Sequence, residues 1–435
     1  MNRKISIFWF RRDLRLDDNV GLFHALKGEF PVLPIFIFDK NILDKLDDKL
    51  DRRVDFIHSA LDKMNVKIKS FDSSIRIFHG SPKKAFEELV DEFSIDCVYT
   101  NHDYEPYAIG RDADIESFLY SKGIKFQTYK DQVIFEKFEV TKADGKPYTV
   151  FTPYSKVWKQ RLSEENLKSY TSEKSLKKLF KYKALEFPSL DKIGFKKTDF
   201  FPPDINPDEE IIRHYEEKRN LPFVEGTTRM GIHLRFGTIS VRKLAQKAIQ
   251  LNEQYLNELI WREFFMSILF HFPHVVSGSF KKEYDRIEWR KSESDFEKWC
   301  KGETGYPIVD AGMRQLNETG WMHNRVRMIV ASFLTKHLLI DWRWGEAYFA
   351  DKLIDYELSA NNGNWQWAAS TGCDAAPYFR IFNPSEQVKK FDPDLIYIRR
   401  WVKDFDEISY PKPMVDHKFA RERTLATYKK GLQRV

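Results

Sequence analysis

Residues 5–38 read ISIFWFRRDLRLDDNVGLFHALKGEFPVLPIFIF. Two short apolar runs, Ile5–Phe10 and Val32–Phe38, bracket a helical pattern from Asn19 to Leu26. Continuous apolar runs of this length suit strands buried on both faces. The alternation continues along the chain. An amphipathic helix pattern runs from about Leu50 to Met64, and a strand follows at Ile75–Phe78. Ser81-Pro82 then supplies an N-cap and a proline at the first helical position, opening a helix through Phe93. A strand at Asp96–Tyr99, a helix at Ala108–Tyr120 stopped by Gly123, and a strand at Lys125–Tyr129 complete the pattern. It predicts a doubly wound parallel sheet over residues 1–130. No GxGxxG follows the first strand, so no dinucleotide seat is expected there.

Beyond this α/β domain the pattern loosens. Residues 131–204, with the Lys-rich segment Lys174–Lys183 and a closing Phe201-Pro202-Pro203, read as an interdomain connector with some helix. After about residue 205 strand patterns vanish. Helical candidates are 208–220, 240–270, 294–300, 307–318, 321–338, 343–353, 384–388 and 415–431, with apolar residues at three- and four-residue spacing. Residues 205–435 are therefore expected to form an all-α domain.

The bulk numbers fit a globular protein of two domains. The chain has 435 residues, 42% hydrophobic and 31% charged, with a net charge of +6 that permits a nucleic-acid partner without demanding one. No apolar run approaches the roughly 18 residues of a membrane span, and the N-terminus lacks a signal-peptide pattern. Three scattered cysteines, Cys97, Cys300 and Cys373, argue against a disulfide framework or a metal site and for a cytoplasmic setting. Nine of the 11 tryptophans follow residue 250. Any one of them reads most simply as aromatic core; their asymmetry points to a task specific to the C-terminal half.

Four stretches carry candidate chemistry. Glu357–Arg380, ELSANNGNWQWAASTGCDAAPYFR, combines Trp365 and Trp367 with Asn361, Asn362 and Asn364 around Gly363. Indoles and carboxamides together suit a flat aromatic ligand. In LNELIWREFF, Glu258, Trp261 and Arg262 share a helical face, either receiving a planar ligand or forming a half-buried ion pair beside a core indole. In WMHNRVRM, Arg325 and Arg327 repel each other unless neutralised, with Asp355 and Glu357 as internal partners or phosphates as external ones. His323 reads better as a hydrogen-bonded helix histidine than as a base. In GTTRMGIHLRFGTIS, Thr227, Thr228 and Gly231 offer hydroxyls and open backbone N–H groups for a diphosphate, or form an ordinary capped turn.

These stretches, with FWFRRDLRLDDN, TGYPIVDAGMRQLNETGWMHNRVRMIVASFL and YELSANNGNWQWAASTGCDAAPYFRIFNP, occur in one order and cover almost the whole chain. In this the chain resembles the photolyase/cryptochrome flavoproteins, most closely the class I cyclobutane pyrimidine dimer photolyases. The resemblance implies an α/β domain and a helical domain holding FAD. It implies that light excites the reduced flavin, which lends an electron to a flipped-out pyrimidine dimer in UV-damaged DNA. Carried over by motif, Tyr215, Thr227, Thr228, Arg229, Met230, Gly231 and Arg262 would hold the phosphates and ribityl chain, with Tyr255 and Glu357 close by. Arg327 would pair with Asp355 beside the flavin ring, and Asn361 would face its N5. Glu258 would hydrogen-bond the lesion. Trp261, Trp367, Asn324 and Met328 would wall the lesion pocket, with Asn324 also near the cofactor. Arg219, Arg325 and Arg380 would meet DNA phosphates. Trp365, Trp342 and Trp289 would conduct electrons to the flavin.

Three positions depart from the family pattern: Gly231 where Ser is usual, Tyr255 where Trp is frequent, and Glu357 where Asp is common. Tyr107-Ala108 stand where folate-binding members carry Asn-Glu, which argues against a folate antenna. A deazaflavin, another flavin or no second chromophore stays open. The resemblance also contains cryptochrome photoreceptors and (6-4) photolyases. Asn361 argues against the first and HNRVRM against the second. The expectation is a monomeric, metal-free, light-driven repair enzyme.

Overall fold

A computed structural model describes residues 4–182 and 186–433. Lys183, the last residue of the Lys-rich segment, lies outside them. Five strands, β1 Lys4–Phe10, β2 Val32–Asp39, β3 Arg76–Gly80, β4 Ser94–Asn101 and β5 Lys125–Tyr129, form one parallel sheet in the order β3-β2-β1-β4-β5. Parallel neighbours need long crossovers, and the helices Val20–Lys27, Arg52–Lys69, Pro82–Glu92 and Pro106–Ser121 lie between successive strands. Local chemistry starts them. Asn19 Oδ1 accepts from the Leu22 N–H at 3.0 Å, and Ser81 Oγ caps the helix that begins with Pro82. Ile5, Ile7, Leu33, Ile35, Phe86 and Leu89 pack into the apolar core of this unit.

The charged loop after β1 is structural. Arg15 Nη2 lies 2.7 Å from Asp131 Oδ2, and Arg242 Nη2 lies 2.9 Å from Asp131 Oδ1 and 3.1 Å from Asp18. All four side chains are buried. Burial alone would raise the Asp131 carboxyl; the two guanidiniums outweigh it and hold it below the usual carboxylate value.

The chain makes two compact units, and their segments interleave. The first comprises Met1–Glu136, Arg161–Asn206 and Met230–Ile249; the second comprises Lys137–Gln160, Pro207–Arg229 and Gln250–Val435. The stretch read as a connector, 131–204, is thus shared between both units, and residues 230–249 belong with the sheet rather than with the helical unit. All five strands lie in the first unit.

In the second unit the helices start close to where the apolar spacing places them: Glu293–Lys301, Pro307–Thr319, Asn324–Ser332, Trp342–Lys352, Pro384–Phe391 and His417–Gln433. The candidate 240–270 is two helices, Val241–Leu251 and Glu253–His271. They break at Asn252, whose side chain caps the second by accepting from the Tyr255 N–H at 3.0 Å. The candidate 321–338 begins at Asn324 and ends in a π-helical turn, Phe333–His337.

Among the described residues, five α-helices lie outside those read from the sequence: Lys40–Leu43, Phe151–Arg161, Gly231–Phe236, Leu358–Ala369 and Ile396–Trp401. Leu358–Ala369 is the consequential one. Asn and Gly disfavour helix interiors, so its sequence, LSANNGNWQWAA, resembles a loop. Packing overrides that propensity. Gly363 lets Phe265 approach so closely that a Cβ there would sit 2.1 Å from Phe265 Cδ1. Gly345 does the same for the indole of Trp365, again at 2.1 Å.

Candidate active site

The helix Leu358–Ala369 carries the centre of the site. Asn361, Asn364, Trp365 and Ala368 follow i, i+3, i+4, i+7 spacing and all line one cleft, of about 600 Å³ including the space open to solvent. Asn324, Arg327 and Met328 come from the helix Asn324–Ser332, and Phe349, Leu353, Asp355, Tyr356 and Glu357 from the segment leading into Leu358. Trp367 lines the cleft as well.

The carboxamides divide by helical face. Asn361 Nδ2 donates to the Glu346 carbonyl at 3.0 Å and to Glu346 Oε1 at 3.2 Å, so its amide group is held and its oxygen is the remaining polar end. Burial raises the Glu346 carboxyl, against a smaller opposing effect of the Asn361 hydrogen bond. Asn362 does not join the cleft. Its Nδ2 donates to the Val275 carbonyl at 3.0 Å, and Gln366 Nε2 donates to the same carbonyl and to Asn362 Oδ1. Grouping Asn362 with Asn361 and Asn364 as ligand-gripping amides was therefore wrong: it satisfies a buried backbone carbonyl.

Arg327 and Asp355 form a two-oxygen pair, with Nη2 at 2.9 and 3.2 Å, while Arg327 Nε donates to the Met322 carbonyl. Among the described residues Arg325 has no such carboxylate. It bonds Asn220 Oδ1 at 2.7 Å and lies over the Phe391 ring. Burial, followed by the nearby Arg219 and Arg380, pulls it below the ordinary arginine value. His323 caps the helix: Nδ1 accepts from the Arg325 N–H at 3.2 Å. Burial and the surrounding arginines push it down to about 3, so it is neutral.

The helix Glu253–His271 places Glu258, Trp261 and Arg262 outside the cleft lining. Glu258 accepts from Arg219, and Gln254 Nε2 donates to the same Oε1 at 2.9 Å. Arg262 lies 3.7 Å from Glu357 Oε2, so Glu357 faces Arg262. Trp261 is half-buried and stacks face to face on Phe151, with centroids 3.6 Å apart and planes 5° apart. Of the two indoles, Trp367 lines this cleft and Trp261 does not. Phe151 was missed because it lies in the stretch read as connector. Nearby, the buried Glu263 accepts from Trp158 Nε1 at 2.5 Å and fastens the helix Phe151–Arg161 to Glu253–His271.

Around the turn at Thr227, the Thr228 and Tyr255 hydroxyls are 2.8 Å apart, and Tyr215 meets Tyr255 edge-on at 5.1 Å. Burial pushes the Tyr255 phenol up to about 12. Arg229 has φ +54, pairs with Glu225 at 2.8 Å and lies 4.4 Å over Trp321. Met230 and Gly231 fall in the first unit, where Met230 is buried and Gly231 opens the helix Gly231–Phe236. There too Tyr107 donates to Asp39 at 2.5 Å, and Ala108 is buried.

Trp365 is almost fully buried and meets Phe349 and Trp299 edge-on, at 5.1 and 6.1 Å. Trp342 lies in the same apolar cluster, with Trp289 packed at its margin against Tyr428. The exposed Arg380 lies 5.8 Å from the Phe382 ring.

The cleft is aromatic with amide and guanidinium edges, and among the described residues Arg325 and Arg380 of the same unit have no carboxylate partner; this chemistry suits a flat ring and an anion. Comparison with known proteins makes that chemistry specific. Residues 6–172 match the family described as DNA photolyase, and residues 255–409 match the FAD binding domain of DNA photolyase. The deoxyribodipyrimidine photo-lyase of Synechococcus sp. is 34% identical over 97% of this chain and 96% of its own. A bacterial class III photolyase from Agrobacterium tumefaciens superposes with a TM-score of 0.86 at 32% identity, covering 99% of this chain and 98% of that one. An archaeal photolyase from Sulfolobus tokodaii, solved with two FAD molecules, gives 0.81 at 33% identity, over 98% and 99%. The chain belongs to the DNA photolyase family.

Proposed function

We propose that this protein is a light-dependent DNA repair enzyme that splits cyclobutane pyrimidine dimers with FAD as its cofactor. The observation that carries this reading is the cleft on the helix Leu358–Ala369, where the Arg327–Asp355 pair, the held carboxamide of Asn361 and the indoles of Trp365 and Trp367 meet. This donor set fits a flavin: a planar ring needs apolar walls and a few fixed polar groups at its edge. FAD supplies the light-driven electron chemistry, and the protein supplies binding and orientation.

In this reading Arg327, Asp355 and Asn361 hold the ring, and Arg262 with Glu357 steadies the cofactor. Tyr215, Thr227, Thr228, Arg229 and Tyr255 serve its phosphates and ribityl chain. Asn324, Met328 and Trp367 contact the lesion, while Trp261, backed by Phe151, offers an indole to a flipped base. Glu258 binds the base edge. Arg219, Arg325 and Arg380 take backbone phosphates. Trp365, Trp342 and Trp289 feed electrons inward. The protein acts as a monomer in the cytoplasm. The free state of Cys97, Cys300 and Cys373 agrees with that location, and among the described residues no helix is long and apolar enough to cross a membrane.

The test is direct. Chemically reduced protein under blue light converts a dimer-containing oligonucleotide to monomeric pyrimidines, read by chromatography. Dimers that survive illumination reject the reading.

A further inference from the structure

Two groups with separate tasks in the proposed function are bound to each other here. Arg219 Nη1 donates to Glu258 Oε1, and Gln254 supports the same oxygen at 2.9 Å. Arg219 follows the helix Tyr215–Lys218, and the next residue, Asn220, holds Arg325 at 2.7 Å. Arg325 in turn feels the positive charges of Arg219 and Arg380. Among the described residues neither Arg325 nor Arg380 has an ion pair. Glu258 is thus the carboxylate neutralising one of three neighbouring guanidiniums.

We propose that the Arg219–Glu258 pair is a specificity element that withholds Arg219 from undamaged DNA and releases it when a flipped dimer offers Glu258 a replacement partner. The proposal rests on the repair reading above. The side chains are 24% and 31% exposed, so the pair is within reach of solvent and weak enough to exchange partners. A phosphate competes well for a guanidinium. On an undamaged duplex, however, taking Arg219 would leave the Glu258 carboxylate facing a polyanion without its counter-charge. A flipped pyrimidine changes that balance, because its ring N–H donates to the carboxylate while Arg219 turns to the backbone. The carboxylate then keeps a hydrogen-bond donor in place of the guanidinium, Arg219 pairs with a phosphate, and that extra contact forms only on damaged DNA.

The experiment measures dissociation constants in the dark for the FAD-loaded protein on undamaged and dimer-containing duplexes across a salt series. Glu258→Gln frees Arg219, so on undamaged duplex its salt slope steepens by about 0.9, and a fourfold dilution of salt gains about 3.5-fold more affinity than in the unmodified protein. Arg219→Gln leaves undamaged-duplex binding within about twofold and shallows the slope by about 0.9 on the dimer duplex alone. An unchanged slope for Glu258→Gln on undamaged DNA, or equal weakening of both duplexes by Arg219→Gln, overturns the proposal. If the unmodified protein shows no preference for the dimer duplex, the repair reading falls, and the Glu258→Gln slope on undamaged DNA still decides whether the pair withholds Arg219.

Discussion

Trp365 and Trp367 stand two residues apart and have different surroundings. Trp365 is 2% exposed and touches Trp299 and Phe349, whereas Trp367 is half-buried at the cleft. Burial among rings suits an electron relay; partial exposure suits a substrate contact. Trp365→Phe should therefore slow light-driven reduction of the oxidised cofactor by at least about tenfold, which corresponds to about 1.4 kcal/mol in the barrier. Repair by chemically reduced protein should continue. Transient absorption and the repair assay measure the two separately. The same distinction applies to the amides. Asn361 and Asn362 are neighbours of one chemical type, and helical rotation alone turns one to the cleft and the other to the Val275 carbonyl.

The helix Leu358–Ala369 depends on two close approaches that its composition does not announce. Gly345, on the helix Trp342–Lys352, leaves no room for a methyl group beside Trp365. Gly345→Ala should destabilise the protein by about 1–3 kcal/mol through overpacking, despite alanine's better helix propensity. A lowered denaturant midpoint with an unchanged slope would establish it, and an equal or raised midpoint would contradict it. Other helices were legible because their starts are chemical. Asn19 and Ser81 cap helices with their own side chains. The segment 358–369 has no such side-chain cap, since Glu357 at its N-cap makes no capping bond. Its helicity comes from the helices packed around it.

Across the helical unit, buried neutral histidines link stability to pH. His323 and His337 are both pushed down to about 3, first by burial and then by neighbouring cationic groups. The folded state therefore keeps them neutral, while the unfolded chain protonates them near pH 6.5. Stability is complete above that value and falls as pH drops toward about 3. Each histidine should cost about 2 kcal/mol between pH 7.5 and pH 5. Denaturant unfolding at the two pH values checks this. His323→Asn keeps a capping side chain and should flatten the loss by about half; an unchanged pH dependence would show that these histidines are not its source.

The sheet was readable because its requirements are local. The runs Ile5–Phe10 and Val32–Phe38 are short and rich in β-branched and aromatic side chains, which suits buried strands, and Ser81-Pro82 starts a helix from its own atoms. The family motifs also contain several of the side chains that line the cleft, among them Asn324, Arg327, Asn361 and Trp365. Their partners could not be read, because a side chain pairs with whatever segment the fold delivers. Arg219 meets Glu258 across 39 residues, and Trp261 stacks on Phe151 across 110. The division into units belongs here too: residues 137–160 join the helical unit, where Trp158 bonds the buried Glu263. Local spacing encodes strands, caps and candidate side chains. Which of those side chains face the cleft, and which neutralise one another, follows from long-range packing and from the need to pair every buried charge and polar group.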